Sequence, residues 1–247
     1  MKKYLLIGLI FSLFLFSFSQ TPIKIPNINI SFGDQTTQSQ RFVTTIQIVI
    51  LMTILTLLPS IVITMTSFTR IVVVLSLLRR AVGTQQIPVN QVIIGLSLFL
   101  TYFVMHPTLT HIWNEGWNPY IHNEISQQEM LKITEKYMRK FMFKYVGDKE
   151  LALFVKVSHL NRPKTPDDIP TYILIPAFMI SELKKAFEIG FLLFIPFLII
   201  DIVVASILLS MGMMMLPPVT VSFPFKLLLF VLVDGWYLVV GSLLKTF

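Results

Sequence analysis

The chain has no cysteine and few charged residues. Because cysteine is absent from all 247 positions, disulfides, iron–sulfur clusters and thiolate zinc sites are excluded. Only 13% of the residues are charged, whereas a soluble domain has about a quarter. Hydrophobic residues make up 54% and the mean hydropathy is +0.74, which excludes a disordered chain. The composition therefore predicts a membrane-associated protein.

Motifs of catalysis and ligand binding are also missing. The sequence has no phosphate loop, H-E-x-x-H, G-x-S-x-G or G-x-G-x-x-G motif. The four histidines lack the spacing of metal ligands: His106, His111, His122 and His159. The net charge is +7, but the basic residues are scattered, which argues against nucleic-acid binding. We therefore predict that the protein is not an enzyme and has no catalytic residues, metal or cofactor.

The first 19 residues have the pattern of a cleaved signal peptide. Lys2 and Lys3 precede an apolar run at 4–16, which is shorter than the roughly 20 residues of a bilayer span. Ser17 and Ser19 then give the small-x-small pattern of a cleavage site. The alternative is a first transmembrane anchor. Residues 20–41, which contain prolines and many polar residues, are expected to form an external lead-in.

The remaining apolar blocks predict an all-α protein with two helical hairpins. The first hairpin is expected at 42–105 and the second at 173–247, with an external helical domain at 106–172 between them. Prolines within or beside the blocks predict kinked helices. Arg79 and Arg80 lie between the first two blocks, and the positive-inside rule places this basic pair on the cytoplasmic side.

The external domain contains a predicted amphipathic helix. Ser126 and Glu129 match a capping box, and apolar residues then recur at helical spacing until Gly147. Lysines at every fourth position follow the opposite side of this helix, and we interpret them as a solvated face. This lysine stripe consists of Lys132, Lys136, Lys140 and Lys144.

Several charged residues interrupt the apolar blocks of the second half and the first hairpin. In lipid each would cost a few kcal/mol, so each must face a partner, a cavity or water. We interpret them as assembly charges that pair across subunit boundaries. The alternative is a proton or ion pathway through Asp201 and Asp234, as in a proton-coupled transporter. The predicted assembly charges are Arg70, Glu182, Lys184, Lys185, Asp201, Lys226 and Asp234.

The turn between the last two apolar blocks is itself apolar. Turns in water are normally polar, because their backbone groups need solvent. Met213, Met214 and Met215 are consecutive, so they cannot share one helix face. The unbranched methionine side chain also fits irregular and changing contours. The turn is therefore either ordinary core packing or a deformable seal against other protein.

Several longer motifs are specific enough to indicate a family. They are TSFTRIVVVLSLLRRA (66–81), GTQQ (83–86), PAF (176–178), ISELK (180–184), IGF (189–191), FIPFL (194–198), GMMMLPP (212–218), PFKL (224–227) and LVDGW (232–236). Together they closely resemble the flagellar biosynthetic protein FliP family over about 42–105 and 176–244. Residues 106–172 resemble the family only in length and helical character.

This resemblance implies a core pore-forming subunit of the flagellar type III protein export gate. Such subunits form a pentamer, which joins FliQ-like and FliR-like proteins in a closed helical pore for unfolded flagellar substrates. The resemblance also implies the bacterial inner membrane at the flagellar basal body, with an external, periplasmic domain. It implies that Met213, Met214 and Met215 contribute to a pore gasket. Virulence type III secretion homologues share these motifs but generally lack a signal peptide, so residues 1–19 favour the flagellar branch.

Overall fold

A computed structural model of the chain contains only helical secondary structure in the part that it describes. The described residues are 38–84, 86–158, 163, 165–213 and 215–247. The predicted signal peptide, and the lead-in as far as residue 37, lie outside them. The chain divides into two units, residues 1–53 and 54–247. In the first unit the described residues, 38–53, form the beginning of one helix.

The helices follow one another with short connections. They are α1 (Gln38–Thr64), α2 (Phe68–Val82), α3 (Asn90–Ile112), α4 (Asn118–Ile121), α5 (Gln127–Tyr145), α6 (Asp148–Val157), α7 (Thr171–Ser210), α8 (Pro218–Leu232) and α9 (Gly235–Leu244). A π-helical turn at Trp113–Trp117 joins α3 to α4 without a break. A 3₁₀ turn at Pro166–Asp168 precedes α7.

Two helices are long and apolar enough to cross a membrane. They are the continuous segment Asn90–Ile121 and α7, which has 40 residues. Helices α8 and α9 are bent by 65° at the break between them and would together make a third span. The apolar part of α1, Thr45–Ile61, is shorter. These lengths agree with the membrane association predicted from the composition.

Helix α3 extends past residue 105, where the first hairpin was expected to end. It continues through Pro107 to Ile112. A proline inside a helix removes one backbone hydrogen bond and does not always end the helix. The helical turn at Trp113–Trp117 extends the segment further, so a continuous helical segment leads from the apolar helix into the polar domain.

Helix α2 supplies much of the core of the second unit. Its buried residues recur at the three- and four-residue spacing of one helix face: Ile71, Val74, Leu75, Leu78, Ala81 and Val82. This face packs against α3, α7 and α9. A Cβ atom on Gly190 of α7 would overlap the side chain of Leu77, so glycine permits the close approach of α7 to α2. The helix ends at Gly83, whose φ of 87° is left-handed.

The amphipathic helix of the polar domain is confirmed as α5. The Ser126 hydroxyl accepts a hydrogen bond from the Glu129 amide at 3.3 Å, and the Glu129 carboxylate accepts one from the Ser126 amide at 2.9 Å. This is the predicted capping box. The buried face of α5, which includes Phe141 and Met142, packs on Leu174 of α7. The four residues of the lysine stripe are exposed on its other side.

We expect Glu129→Ala to lower the melting temperature at neutral pH and to lose this effect in acid. Hydrogen bonds from Ser126 lower the pKa of the Glu129 carboxyl below its ordinary 4.5. A carboxyl whose pKa is lowered by folding stabilises the fold above its ordinary pKa, and this contribution fades as the pH falls below that value. Thermal unfolding at neutral pH and about one unit below 4.5 measures the difference. Glu124→Ala, which removes an exposed carboxylate outside the cap, is the control. An equal difference at both pH values would contradict the prediction.

Candidate functional site: paired charges and the methionine turn

A buried ion pair joins α2 to α7. Arg70 is 1% exposed and Glu182 is 0% exposed, although both lie in largely apolar helices. The guanidinium donates from Nε to Oε2 at 2.8 Å and from Nη2 to Oε1 at 2.5 Å. This two-point geometry is the strongest form of a hydrogen-bonded ion pair in proteins. The pair therefore fixes the relative positions of two helices that are far apart in the sequence.

The same guanidinium contacts residues from two further parts of the chain. Nη1 of Arg70 donates to the main-chain oxygen and the hydroxyl of Thr246, each at 3.0 Å. The guanidinium carbon lies 3.9 Å from the ring centre of Phe247 and 5.6 Å from that of Tyr145. Cation–π contacts are strongest where water is excluded, as around this side chain. Arg70 thus connects α2, α7, the end of α5 and the segment after α9.

Two lysines of α7 bind the polar domain. Lys184 lies 3.1 Å from the Glu150 carboxylate of α6, and this hydrogen bond lowers the pKa of Glu150. Lys185 donates to the main-chain oxygen of Tyr145 at 2.6 Å. This oxygen lies in the last turn of α5, where a lysine is favourable to the helix dipole. The first half of α7 is therefore attached to both α5 and α6.

A second charge cluster lies between α7 and α8. Lys226, which is buried, donates to one oxygen of Asp201 at 2.6 Å, and Ser222 donates to the other at 2.5 Å. Further along, Phe197 of α7 packs near Phe230 of α8. Asp201 contacts Lys226, and the earlier residue Phe197 contacts the later residue Phe230. The two helices therefore run antiparallel and form a hairpin. The predicted turn between the last two apolar blocks therefore lies between Ser210, where α7 ends, and Pro218, where α8 begins.

These contacts correct one part of the interpretation of the charges. Arg70, Glu182, Asp201 and Lys226 find their partners within one chain, so they do not need a neighbouring subunit for neutralisation. The sequence interpretation underestimated how much of α7 is covered by α2 and α8. Asp234, in contrast, is exposed at the break between α8 and α9 and has a φ of 50°. The contribution of all seven charges to assembly stays a prediction.

The pairing also weakens the alternative of a proton pathway. A carboxylate that carries protons must exchange them with water or a neighbouring acid. Asp201 is instead held by a lysine and a serine, with an N–O distance of 2.6 Å to Lys226. Among the described residues, moreover, no group of three histidine, aspartate or glutamate side chains could hold a metal ion.

The predicted basic pair lies in the last turn of α2. Arg79 donates from Nη1 to the main-chain oxygen of Pro88 at 3.0 Å and to Oδ1 of Asn90 at 2.8 Å. It therefore braces the connection to α3. Arg80 is exposed. Basic side chains in a final helical turn interact favourably with the helix dipole. The cytoplasmic placement of the pair stays a prediction.

The methionine turn is exposed. Met213 is 44% exposed and Met215 is 98% exposed, whereas Met214 lies outside the described residues. Met211 and Leu216 beside them are also exposed. Ordinary packing within this chain therefore does not account for these side chains. A contiguous apolar surface of this kind marks a contact with protein or lipid.

Sequence reasoning missed several residues around the charges. Thr246 and Phe247 form part of the Arg70 site, and Ser222 completes the Asp201 site. Ser222 follows Asp201 by 21 positions and has no motif of its own. A polar residue four positions before Lys226 on the same helix was the available signal, because such residues share a face.

The helices of membrane-spanning length, the ion pairs between helices and the exposed apolar turn together indicate the class of protein. The described residues form an all-helical, membrane-associated protein and include no metal cluster. The chain belongs to the FliP family, whose family model matches residues 51–243.

Full-length relatives support this assignment. The flagellar biosynthetic protein FliP of Bacillus subtilis is 54% identical over 203 residues, which cover 82% of this chain and 92% of the relative. The protein of the same name from Aquifex aeolicus is 50% identical over 249 residues and covers both chains completely. That of Borreliella burgdorferi is 42% identical over 258 residues, again with complete coverage. These names agree with the predicted component of a flagellar type III export gate.

Proposed function

We propose that this chain is a pore-forming core subunit of the flagellar type III export gate. The observation that carries the proposal is the exposed turn at Met213 and Met215, at the tip of the hairpin formed by α7 and α8. Several copies arranged around an axis would bring these tips together. Flexible apolar side chains could then seal a closed pore and adapt when an unfolded flagellar substrate passes. Met214 is included as the third member of this gasket.

The exposed apolar surface of α7 supports assembly. Phe191, Leu192, Ile199 and Ile202 are each more than half exposed, far beyond what scattered surface residues of a soluble monomer would give. Other copies of the chain, partner proteins and lipid are the surfaces that would cover them. We infer a homo-oligomer, a pentamer by family resemblance, that joins FliQ-like and FliR-like proteins. No nucleic acid takes part.

The internal ion pairs have a supporting part in this proposal. They hold α2, α7 and α8 in one register, and the methionine tip is attached to the end of that unit. On a rigid hairpin, the methionine turn can contact the same turn of neighbouring subunits in a fixed position. The proposed assembly charges are therefore positioning groups, and the exposed members Lys184 and Asp234 are the ones available to neighbouring subunits.

We place the protein in the inner membrane at the flagellar basal body. A cleaved signal peptide at 1–19 would put the lead-in and the domain at 106–172 on the periplasmic side. Arg79 and Arg80 then face the cytoplasm. The hairpins at 42–105 and 173–247 form the membrane-associated part, with the helix boundaries given above.

Native mass measurement of the complex purified from cells tests the proposal. We expect several copies of this chain together with smaller membrane proteins. Ile199→Ser, on the exposed face of α7, should reduce the number of copies, because it removes apolar contact area. The matched control is Val157→Ser, an equally exposed apolar position on α6 of the polar domain. A lone monomer or dimer from wild-type cells would contradict the pore.

A further inference from the structure

A cavity of about 530 Å³ lies between the end of α3 and helix α5. Phe103 and Pro107 of α3 form one wall, and Phe247 forms part of the floor. Lys140 and Lys144 of the lysine stripe form part of the other wall. The cavity is therefore apolar on the side of the membrane-spanning helix and cationic on the side of the polar domain. Its volume is within the range of small-molecule sites.

The charged side chains that line the cavity are lysines. The lining contains no aspartate or glutamate side chain. Lys144 already donates to the hydroxyl of Tyr145 at 2.7 Å and to the main-chain oxygen of Phe247 at 3.2 Å. Lys140 is exposed and has no hydrogen bond or ion pair within the described residues. Lys140 is therefore the ammonium that an external anion would meet.

Two further polar side chains of the lining, His111 and Tyr137, contact each other. His111 stacks on the ring of Tyr137, with 5.1 Å between the ring centres. Glu115, which is not part of the lining, lies 3.4 Å from His111 and accepts a hydrogen bond from the Tyr137 hydroxyl. This hydrogen bond raises the pKa of Tyr137, so the tyrosine stays neutral. The Glu115 carboxylate thus contacts His111 and Tyr137, and it does not neutralise Lys140 or Lys144.

Exposed aromatic side chains of the kind found at the edge of a membrane flank the cavity along α3. Tyr102 and Phe103 are exposed on the last apolar turns, and Trp113 and Trp117 are exposed just beyond them. Aromatic side chains collect at the level of lipid headgroups. The apolar wall of the cavity therefore lies toward the acyl chains, and Lys140 lies toward the polar domain.

We propose that this cavity binds one anionic phospholipid. Its phosphate lies against Lys140, and the beginning of an acyl chain follows Phe103 and Pro107. A lysine near the membrane surface favours an anionic lipid by about fivefold in affinity. The lipid would fill the space between the apolar helix and the polar domain and hold the two together. The apolar lining beside the lysines and the exposed aromatic side chains along α3 favour this occupant over a soluble anion.

Lipid retention by the purified full-length chain in neutral detergent tests this proposal. The probes are phosphatidylglycerol and phosphatidylcholine with identical short acyl chains, and native mass spectrometry counts the molecules bound. We expect one phosphatidylglycerol, bound about fivefold more tightly than phosphatidylcholine. Equal affinities would overturn the proposal. Complete displacement of the lipid by inorganic phosphate would also overturn it, because the site would then bind a free anion.

Two variants in the cavity, Lys140→Gln and Phe103→Ser, locate the site, and a third outside it is the control. Lys140→Gln should remove the preference for phosphatidylglycerol, while Lys156→Gln, an exposed lysine outside the cavity, should keep it. Phe103→Ser should weaken both lipids, because it removes apolar contact without changing charge. Both altered side chains are exposed, so unchanged melting temperatures are expected and serve as the folding check. Wild-type lipid preference in Lys140→Gln would overturn the assignment. None of these measurements depends on export or on pore formation.

Discussion

Glu182→Gln is expected to lower the free energy of unfolding by about 3–5 kcal/mol. The carboxylate is completely buried and holds the guanidinium of Arg70 at two points. Glutamine has nearly the same shape but no charge, so it leaves a buried cation without its counter-ion. Uncompensated buried charge is among the most costly defects in a folded protein. Thermal unfolding of the purified chain in detergent, followed by circular dichroism, measures the change.

Two further variants test the cause of this loss. Glu150→Gln removes a different ion pair, that of Glu150 with Lys184 of α7, but this lysine is half exposed, so we expect a much smaller effect. Combining Glu182→Leu with Arg70→Met replaces the buried pair by apolar side chains and should recover most of the stability. If Glu182→Gln were no more damaging than Glu150→Gln, the buried pair would not determine the register of α2 and α7.

Local patterns predicted the parts of the fold that depend on short-range contacts. The capping box at Ser126 needs only residues within one helical turn, and α5 begins there as predicted. The amphipathic spacing of α5 likewise gave its buried face. The turn between the last two apolar blocks was also predicted, and α8 begins there at Pro218, because proline is tolerated at the first position of a helix.

The local sequence pattern could not predict which distant charged residues pair with each other. Arg70 and Glu182 are separated by 112 positions, and nothing in the local sequence identifies one as the partner of the other. The charges were recognised as costly in lipid, but the helices that would cover them could not be inferred from composition. As a result, partners were sought in neighbouring subunits, and the structure places several of them in the same chain.

The sequence indicated only part of the break between α8 and α9. Asp234 was recognised as an interruption in the last apolar block, but the 65° angle was not predicted. Asp234, whose backbone is left-handed, lies between α8 and α9, and Gly235 lies so close to the ring of Phe230 that a Cβ atom would overlap it. A packing contact with an aromatic ring leaves no periodic signal in the sequence.

The methionine turn is the part of the candidate site that the local sequence pattern marks most clearly. Three consecutive methionines at a helix turn are incompatible with one buried face, which pointed to Met213, Met214 and Met215. Whether such a turn packs inside its own chain or outside it depends on the hairpin geometry. The exposure of Met213 and Met215 resolves this for the described members.

Replacing Met213, Met214 and Met215 together by alanine is expected to raise the passive leakage of small solutes by roughly tenfold or more. A hydrophobic constriction closes a pore by excluding water, and shorter side chains widen it. The turn contributes little to the core of its own chain, because Met213 and Met215 are exposed. We therefore expect the subunit composition and melting temperature to stay the same. Solute release from vesicles that contain the purified complex gives the leakage.

The matched control is the triple replacement by leucine, which keeps apolar bulk at all three positions. Leucine should preserve most of the seal, because it restores volume that alanine removes, although it is less flexible than methionine. Met211→Ala, on the same turn but outside the three consecutive positions, should leak less than the triple alanine variant. Unchanged leakage in the triple alanine variant, with an intact complex, would remove the seal from the proposed function while leaving the ion pairs and the fold as described.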